Sequence, residues 1–384
     1  MTIMELCETY VANTYKRFEA TFVRGSGARL WDEGGKEYLD LGSGIAVNAF
    51  GVADDQWAEA VIHQVRTLQH TCNLYYAEPC ARLAEALCNR TGMQKAFFSN
   101  SGAEANECLL KAARKFGEAT GRDTIIALKD SFHGRTIATL AATGQDVFHE
   151  HFGPFPAGFV FAGPDDLASV KTLADQGDCC AVLLEIVQGE GGVRTLDPEF
   201  LRGVEALCRE RDMLFLVDEV QTGNGRSGML YAYMTAGLTP DIVSTAKGLG
   251  GGLPIGATLF NERTKDVLQS GDHGSTFGGN PVSCAGALSI LNRIDDKLLE
   301  GVREKSAYIV GELTGAKGVI SVSGLGLMLG VEVEKPAMEV ANACLERGVL
   351  VLTAKKKLRL LPALNIGWDE LKAAVSILKE VIAG

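Results

Sequence analysis

The run Asp241-Ile242-Val243-Ser244-Thr245-Ala246-Lys247-Gly248-Leu249-Gly250-Gly251-Gly252-Leu253-Pro254-Ile255-Gly256 joins a β-branched stretch to a turn too rich in glycine to be built for packing. Ile242, Val243 and Thr245 favour an extended, buried strand. The glycines that follow leave room for something flat beside the amine of Lys247. An amine held at the end of a buried strand loses solvation, which lowers its pKa and readies it to form an imine with a carbonyl cofactor. Lys247 is therefore read as a Schiff-base lysine. The order Lys-Gly-Leu-Gly-Gly-Gly is not the GxGxxG dinucleotide fingerprint, and no GxxxxGK[ST] phosphate loop occurs.

Working outward, strand signals recur at Ala96-Phe98, Thr124-Leu128, Gly158-Phe161, Ala181-Val187, Leu214-Asp218, Ile242-Thr245 and Ala257-Phe260, with helical patterns between them. Several are apolar on both faces, which predicts an α/β fold with a mostly parallel central sheet covered by helices on both sides. Residues 50–275 are expected to form this large domain. Residues 276–384 read as a linking helix, beginning near Pro281 and broken around Asp295, followed by a smaller α+β domain with strands at Val319-Ser323, Leu327-Glu332 and Leu358-Leu361. Residues 1–49 are expected to join that small domain through a hairpin around Glu33-Gly34-Gly35. From Val52 to Arg90 the pattern is helical, with Trp57, Val61, Val65 and Leu68 on one stripe.

The chain has 384 residues, 46% of them hydrophobic and 22% charged, enough for a large core and unlike a disordered chain. A net charge of −11 argues against a nucleic-acid partner, and Lys355-Lys356-Lys357 is short enough to be solvated surface. The ten cysteines contain no CxxC pair, so they read as reduced thiols of a cytoplasmic protein rather than metal ligands. The N-terminus lacks a signal-peptide layout and no run of 18 apolar residues predicts a membrane span.

Several residues carry chemistry. Asp218 closes the strand Leu214-Asp218, at the carboxyl edge where open α/β sheets bind ligands, and could hold a pyridine nitrogen protonated or simply cap the next element. Ser99-Asn100-Ser101-Gly102-Ala103-Glu104 leads from a strand into a helix whose first amides favour a phosphate, although an ordinary N-cap reads the same way. Phe132-His133-Gly134-Arg135-Thr136 offers an aromatic to stack on a cofactor and an arginine to grip a carboxylate, or else a solvated loop. Glu185 ends a very apolar run and so marks a polar centre, with Glu190 in the glycine-rich loop after it. Arg359, inside Lys357-Leu358-Arg359-Leu360-Leu361, is either half exposed at an edge or a carboxylate clamp.

In this order the motifs closely resemble the class III, fold-type I aminotransferases that use pyridoxal 5′-phosphate. The matching segments include Asn73-Leu74-Tyr75-Tyr76, Phe98 to Glu107, Phe132 to Thr136, Gln188-Gly189-Glu190-Gly191-Gly192, Asp218-Glu219-Val220-Gln221-Thr222-Gly223, Ala246-Lys247, and His273 to Pro281. The likeness spans nearly the whole chain. Two segments depart from the family pattern: Glu185-Ile186 where many relatives have Glu-Pro, and Phe50-Gly51-Val52-Ala53-Asp54-Asp55 where they often have Gly-His-x-His-Pro.

The resemblance implies that Lys247 binds the cofactor covalently and shuttles the proton, while Asp218 pairs with the ring nitrogen. It implies Gln221 at the ring oxygen and Phe132 over the ring. Ser101, Gly102 and Ala103 hold the phosphate, with Ser275 and Thr276 reaching it from the other subunit of a homodimer. Arg135 would bind the remote substrate carboxylate and Arg359 the α-carboxylate of glutamate, with Glu190 pairing with Arg359 when an ω-amino substrate is bound. The implied reaction moves the terminal amine of N2-acetyl-L-ornithine to 2-oxoglutarate by a ping-pong route, a step of arginine biosynthesis. Relatives of the same mechanism act on succinylornithine, ornithine or 4-aminobutyrate; a glutamate-semialdehyde aminomutase and a non-catalytic relative are further alternatives. Ile45 stands where ornithine-specific relatives place a tyrosine, which favours an acylated amine. No metal is implied.

Overall fold

The computed structural model describes residues 1–384. Its centre is a seven-stranded sheet of β1 (Lys95–Ser99), β2 (Thr124–Leu128), β3 (Phe159–Ala162), β4 (Cys179–Leu184), β5 (Leu214–Asp218), β6 (Ile242–Thr245) and β7 (Gly256–Phe260), in the order β1-β7-β6-β5-β4-β2-β3. The pairs β2/β3, β2/β4, β4/β5 and β5/β6 are parallel, and β7 runs antiparallel to both of its neighbours. Every residue of β2, β4, β5, β6 and β7 is buried, which is why these runs are apolar without alternation. Truncating one of the interior side chains, such as Leu183 to Ala, would cost about 2–5 kcal/mol.

The expected strand Ala181-Val187 stops at Leu184. The Glu185 carboxylate accepts from the amides of Phe132 at 2.9 Å and Gly189 at 3.2 Å, which pulls the chain out of the sheet. Val187–Gln188 then forms a short ribbon with Arg194–Thr195.

The helix Gly102–Glu118 lies against the sheet through Ala105, Cys108, Leu109, Ala112 and Ala113, a stripe at helical spacing whose small residues permit close approach. Asn106 is also buried on it, a polar residue that packing alone does not explain.

The hairpin Arg29–Asp32 with Glu37–Asp40 forms as expected, and its second strand pairs in parallel with Val349–Leu350, stitching the N-terminal segment to the C-terminal part. A second four-stranded sheet contains Val319–Leu325, Met328–Val333, Leu352–Ala354 and Lys357–Leu360. The linking helix is two helices, Pro281–Leu291 and Asp296–Leu313, the second capped by the Asp295 carboxylate on the Leu298 amide at 2.8 Å. In the helix Asp55–Thr67 the expected stripe is covered only in part: Trp57 and Val61 pack against the helix Pro281–Leu291, whereas Val65 is 50% exposed and Leu68, just past the helix end, 39% exposed. An apolar stripe shows which residues can be buried together, but only a neighbouring element buries them. No helix is long and apolar enough to cross a membrane.

Candidate active site

The carboxyl ends of β2, β4, β5 and β6 open on one side of the sheet, and the loops that follow them meet around a cavity of about 580 Å³. Ser101, Gly102, Ala103, Phe132, Arg135, Asp218, Gln221 and Lys247 all line it. Tertiary structure thus gathers residues that are 146 positions apart in the chain, from Ser101 to Lys247.

Asp218 sits on the β5 end, 4% exposed. Its Oδ2 accepts from Asn106 Nδ2 at 2.7 Å and lies 2.8 Å from His133 Nδ1, while Oδ1 accepts from the Val220 amide at 2.9 Å. A carboxylate only accepts, so His133 carries its proton on Nδ1. These bonds fix the plane of the carboxylate and leave Oδ1 with a free lone pair. Asn106 donates its other hydrogen to the His133 carbonyl at 2.8 Å, so helix, loop and strand share one network.

Lys247 follows β6 on a backbone with φ of +44°, in the left-handed region, where a non-glycine residue is strained. The Asn224 amide donates to Thr245 Oγ1 at 2.9 Å and to the Ala246 carbonyl at 3.2 Å, bracing the peptide units just before it. Burial lowers the pKa of its amine to about 8, against the opposing pull of Glu190, while Arg359 adds to the lowering. About a tenth of the amine is therefore neutral and nucleophilic at pH 7, several hundredfold more than for an amine at the ordinary value of 10.5. Glu185 is pushed up to about 7, chiefly by burial, with His133 opposing and Asp218 adding to the rise.

The start of the Gly102–Glu118 helix is a seat for an anion. Ser101 Oγ caps the Glu104 amide at 3.2 Å, and the amides of Gly102 and Ala103 have no partner in the chain. A side chain at 102 would meet Val220 Cγ1 at 2.6 Å, so glycine is required for Val220 to close over this end of the cavity. Gly134 has φ of +146°, and a Cβ there would meet Thr139 Oγ1 at 2.5 Å and Ala103 at 2.9 Å. The aromatic loop and the phosphate-type seat therefore pack against each other directly.

Arg359 is 4% exposed, which rules out the half-exposed edge reading. Its Nη1 pairs with Glu190 and donates to Gln221 Oε1 at 3.2 Å, while its Nε has no partner. A buried cation requires a partner, and Glu190, itself only 28% exposed, supplies it. Arg135 is exposed at the mouth, its guanidinium 5.3 Å from the Phe132 ring centre and 4.2 Å from that of Phe148. It forms no ion pair and so keeps all its donors.

Of the residues expected at this site, Ile45, Glu190 and Arg359 are not among those lining the cavity, although Arg359 reaches Gln221 on its wall; Ser275 and Thr276 were expected to serve the other subunit's site. Ile45 is 41% exposed, within a turn whose residues Ser43, Gly44, Ile45 and Ala46 all have positive φ; Val47 lines the cavity instead. The Asp40 carboxylate anchors that turn by accepting from the amides of Gly42 at 2.7 Å and Ser43 at 2.9 Å. Ser275 lies beside the cavity, its Oγ accepting from Asn100 Nδ2 at 3.1 Å, and Thr276 is exposed. Sequence reasoning in turn missed Val220, Tyr15, Val47 and the role of Asn106. A polar residue in the middle of an apolar helical stripe was the one available signal, and it pointed to Asn106.

The donor set fits pyridoxal 5′-phosphate. Unpartnered helix amides suit its phosphate, Oδ1 of Asp218 suits a protonated ring nitrogen, Phe132 and Val220 line the same cavity and offer apolar surface to a ring, and Lys247 suits the aldehyde.

The chain resembles known proteins over its full length. Residues 10–382 match the aminotransferase class-III family. The chain is 50% identical to an acetylornithine aminotransferase of Haemophilus ducreyi, over 99% of this chain and 98% of that one. Its structure superposes on an N-acetylornithine aminotransferase of Stenotrophomonas maltophilia with a TM-score of 0.86 and 32% identity, covering 99% and 98% of the two chains. An ornithine aminotransferase of Toxoplasma gondii ME49 superposes with a TM-score of 0.95 at 29% identity, covering 99% of this chain and 94% of that one.

Proposed function

This chain belongs to the class-III aminotransferases, enzymes dependent on pyridoxal 5′-phosphate, and from that premise we propose that it transfers the terminal amine of N2-acetyl-L-ornithine to 2-oxoglutarate. The products are N-acetylglutamate 5-semialdehyde and L-glutamate. The observation that carries the substrate reading is the Arg359–Glu190 pair, taken with 50% identity to an acetylornithine enzyme across the chain. The ornithine enzyme matches the backbone at least as well, so the discrimination rests on side chains.

The cofactor supplies an aldehyde that takes up the amine and a ring that draws electrons from the substrate carbon. The chain's residues do the rest. Asp218, oriented by Asn106 and His133, keeps a negative charge opposite the ring nitrogen and so favours its protonated form. Lys247 Nζ, freed from its covalent role, would take the proton from the substrate carbon and deliver it to the cofactor carbon that carried the aldehyde. Gly102 and Ala103 amides, with Ser101, anchor the phosphate, while Phe132 covers one face and excludes water.

Arg359 explains how one pocket serves two donors. With Glu190 on its guanidinium, no bare charge faces the aliphatic chain of acetylornithine; with Glu190 swung away, the same guanidinium takes the α-carboxylate of glutamate in two parallel hydrogen bonds. Arg135 at the mouth binds the remote carboxylate of either substrate.

The active unit in this reading is a homodimer. Leu74 is 88% exposed, Tyr75 71% and Phe277 60%, large apolar side chains that a partner subunit would cover. Asn73 Nδ2 ties their loops together by donating to the carbonyls of Ser275 at 3.0 Å and Gly278 at 2.8 Å. That patch carries Ser275 and Thr276 toward a partner's phosphate seat. Residues 50–275 act as the cofactor-binding part, with residues 1–49 joined to 276–384 as the smaller part that carries Arg359. The ten free thiols suit a reducing cytoplasm, and the product serves arginine biosynthesis.

Single-turnover rates with N-acetylornithine, N-succinylornithine, ornithine and 4-aminobutyrate test the assignment. N-acetylornithine is expected to react fastest, and a preference for ornithine or 4-aminobutyrate would overturn it.

A further inference from the structure

Lys355-Lys356-Lys357 is the only run of three basic residues in a chain of net charge −11. It forms the tip of the hairpin between Leu352–Ala354 and Lys357–Leu360. Lys355 and Lys356 are exposed, as a solvated surface would be, and with Lys357 they wall a groove of about 600 Å³ to which no hydrophobic residue contributes.

The charge balance of this groove is uneven. Lys355 is paired with Asp130, and Arg194 with Asp165 at 2.7 Å. Lys357 Nζ donates to Ser323 Oγ at 2.8 Å, and neither it nor Lys356 has a carboxylate within ion-pair distance. Glu332 is the one acidic residue in the wall; it stands opposite Lys357 in the strand register, and its carboxylate accepts from Ser321 at 2.9 Å rather than from that lysine. A surface serving solubility alone intersperses charges of opposite sign, whereas this one collects unpaired cations in a concave, polar setting that focuses positive potential.

We propose that the groove is a second ligand site, separate from the Lys247 cavity, that takes a small anion carrying two or more carboxylate or phosphate charges. Lys356 and Lys357 supply the charge, and the wall at Thr195 supplies a hydroxyl beside them. The position links it to the first site. Gly191 and Gly192 form part of the wall and directly follow Glu190, while Lys357 lies two residues before Arg359 on the same strand. Lys355 also holds Asp130, whose carbonyl a side chain at 191 would meet at 2.6 Å, so an anion that draws Lys355 away loosens the contact beneath that loop. The inference stands on the groove's own residues and does not depend on which amine the enzyme takes.

Calorimetric titration of the cofactor-loaded enzyme with inorganic triphosphate, and separately with citrate, tests it against sodium chloride at matched ionic strength. One saturable site per chain is expected, weakened at least tenfold in a Lys356→Ala/Lys357→Met double variant that keeps its thermal midpoint and its anion-free kcat/KM. Lys356→Ala alone, at an exposed turn position, should give a smaller loss of the same sign. Binding of triphosphate only, or of citrate only, would support the site and assign it to phosphate-bearing or to polycarboxylate ligands. Absence of saturable binding above the chloride control, or equal affinity in wild type and double variant, would overturn it.

Discussion

His133 Nδ1 and Asp218 Oδ2 lie 2.8 Å apart, and Asn106 Nδ2 donates to the same oxygen at 2.7 Å. One carboxylate oxygen is thereby committed to the scaffold while the other faces the cavity with a free lone pair. The arrangement separates orientation from chemistry: two donors from other elements set the geometry, and the second oxygen remains available to a ring nitrogen.

Replacing Asp218 with Asn removes the charge and keeps the shape. If the carboxylate holds the ring nitrogen's pKa up by roughly three units, kcat should fall about a thousandfold with cofactor still bound. His133→Gln, which can still donate, should lose about tenfold or less. Stopped-flow half-reactions measure both, and equal losses in the two variants would refute the division of roles.

Lys247, with a pKa lowered to about 8 by burial, should capture the cofactor faster as pH rises. Below about 8 the neutral fraction grows about tenfold per pH unit, and above it the rate should level off. Borohydride reduction followed by peptide mass spectrometry should place the cofactor on Lys247 in wild type and nowhere in Lys247→Ala.

Glu190→Gln removes the anion that pairs with Arg359. The half-reaction with N-acetylornithine should then lose about tenfold in kcat/KM, equivalent to about 1.4 kcal/mol, because a bare guanidinium faces an aliphatic chain. The glutamate half-reaction should be nearly unchanged. A parallel loss in both half-reactions would show that Glu190 does not act as a switch.

Glu219, fully buried, accepts from the Tyr233 amide at 2.7 Å and from the Thr222 hydroxyl at 2.5 Å, and burial raises its pKa to about 7. A carboxyl whose folded pKa lies above its unfolded value contributes stability that is complete below the unfolded value near 4.5 and is lost as pH rises through 7. Glu185 and Asp40 are also raised by burial, so Glu219→Gln should remove part of the decline in stability over that window. Urea unfolding of the two proteins from pH 4.5 to 8 measures it, and parallel curves would count against the assignment.

Much of the fold was legible because its signals are local. Thr124–Leu128, Leu214–Asp218 and Ile242–Thr245 are apolar runs bounded by turn residues, and they are strands with the expected ends. The break near Asp295 was readable because an N-cap carries its own side-chain signature. Ala181-Val187 was misjudged because what ends that strand is Glu185 bonding to Phe132, a residue 53 positions away. Val65 and Leu68 follow a helical stripe, but no element covers them within the chain.

The sequence by itself determined which chemistry is present: a lysine at a strand end before glycines, an acid at the end of the central strand, a capped helix start, and their order along the chain. Only the tertiary structure decided how these meet. Asp218 finds His133 across 85 positions and Asn106 across 112, and Arg359 finds Glu190 across 169. It also decided that Ile45 faces outward and that three consecutive lysines wall a groove. Propensity and periodicity act over a few residues, whereas these contacts depend on the strand order of the sheet and on the C-terminal sheet meeting the loops at its carboxyl edge, which no short window of sequence contains.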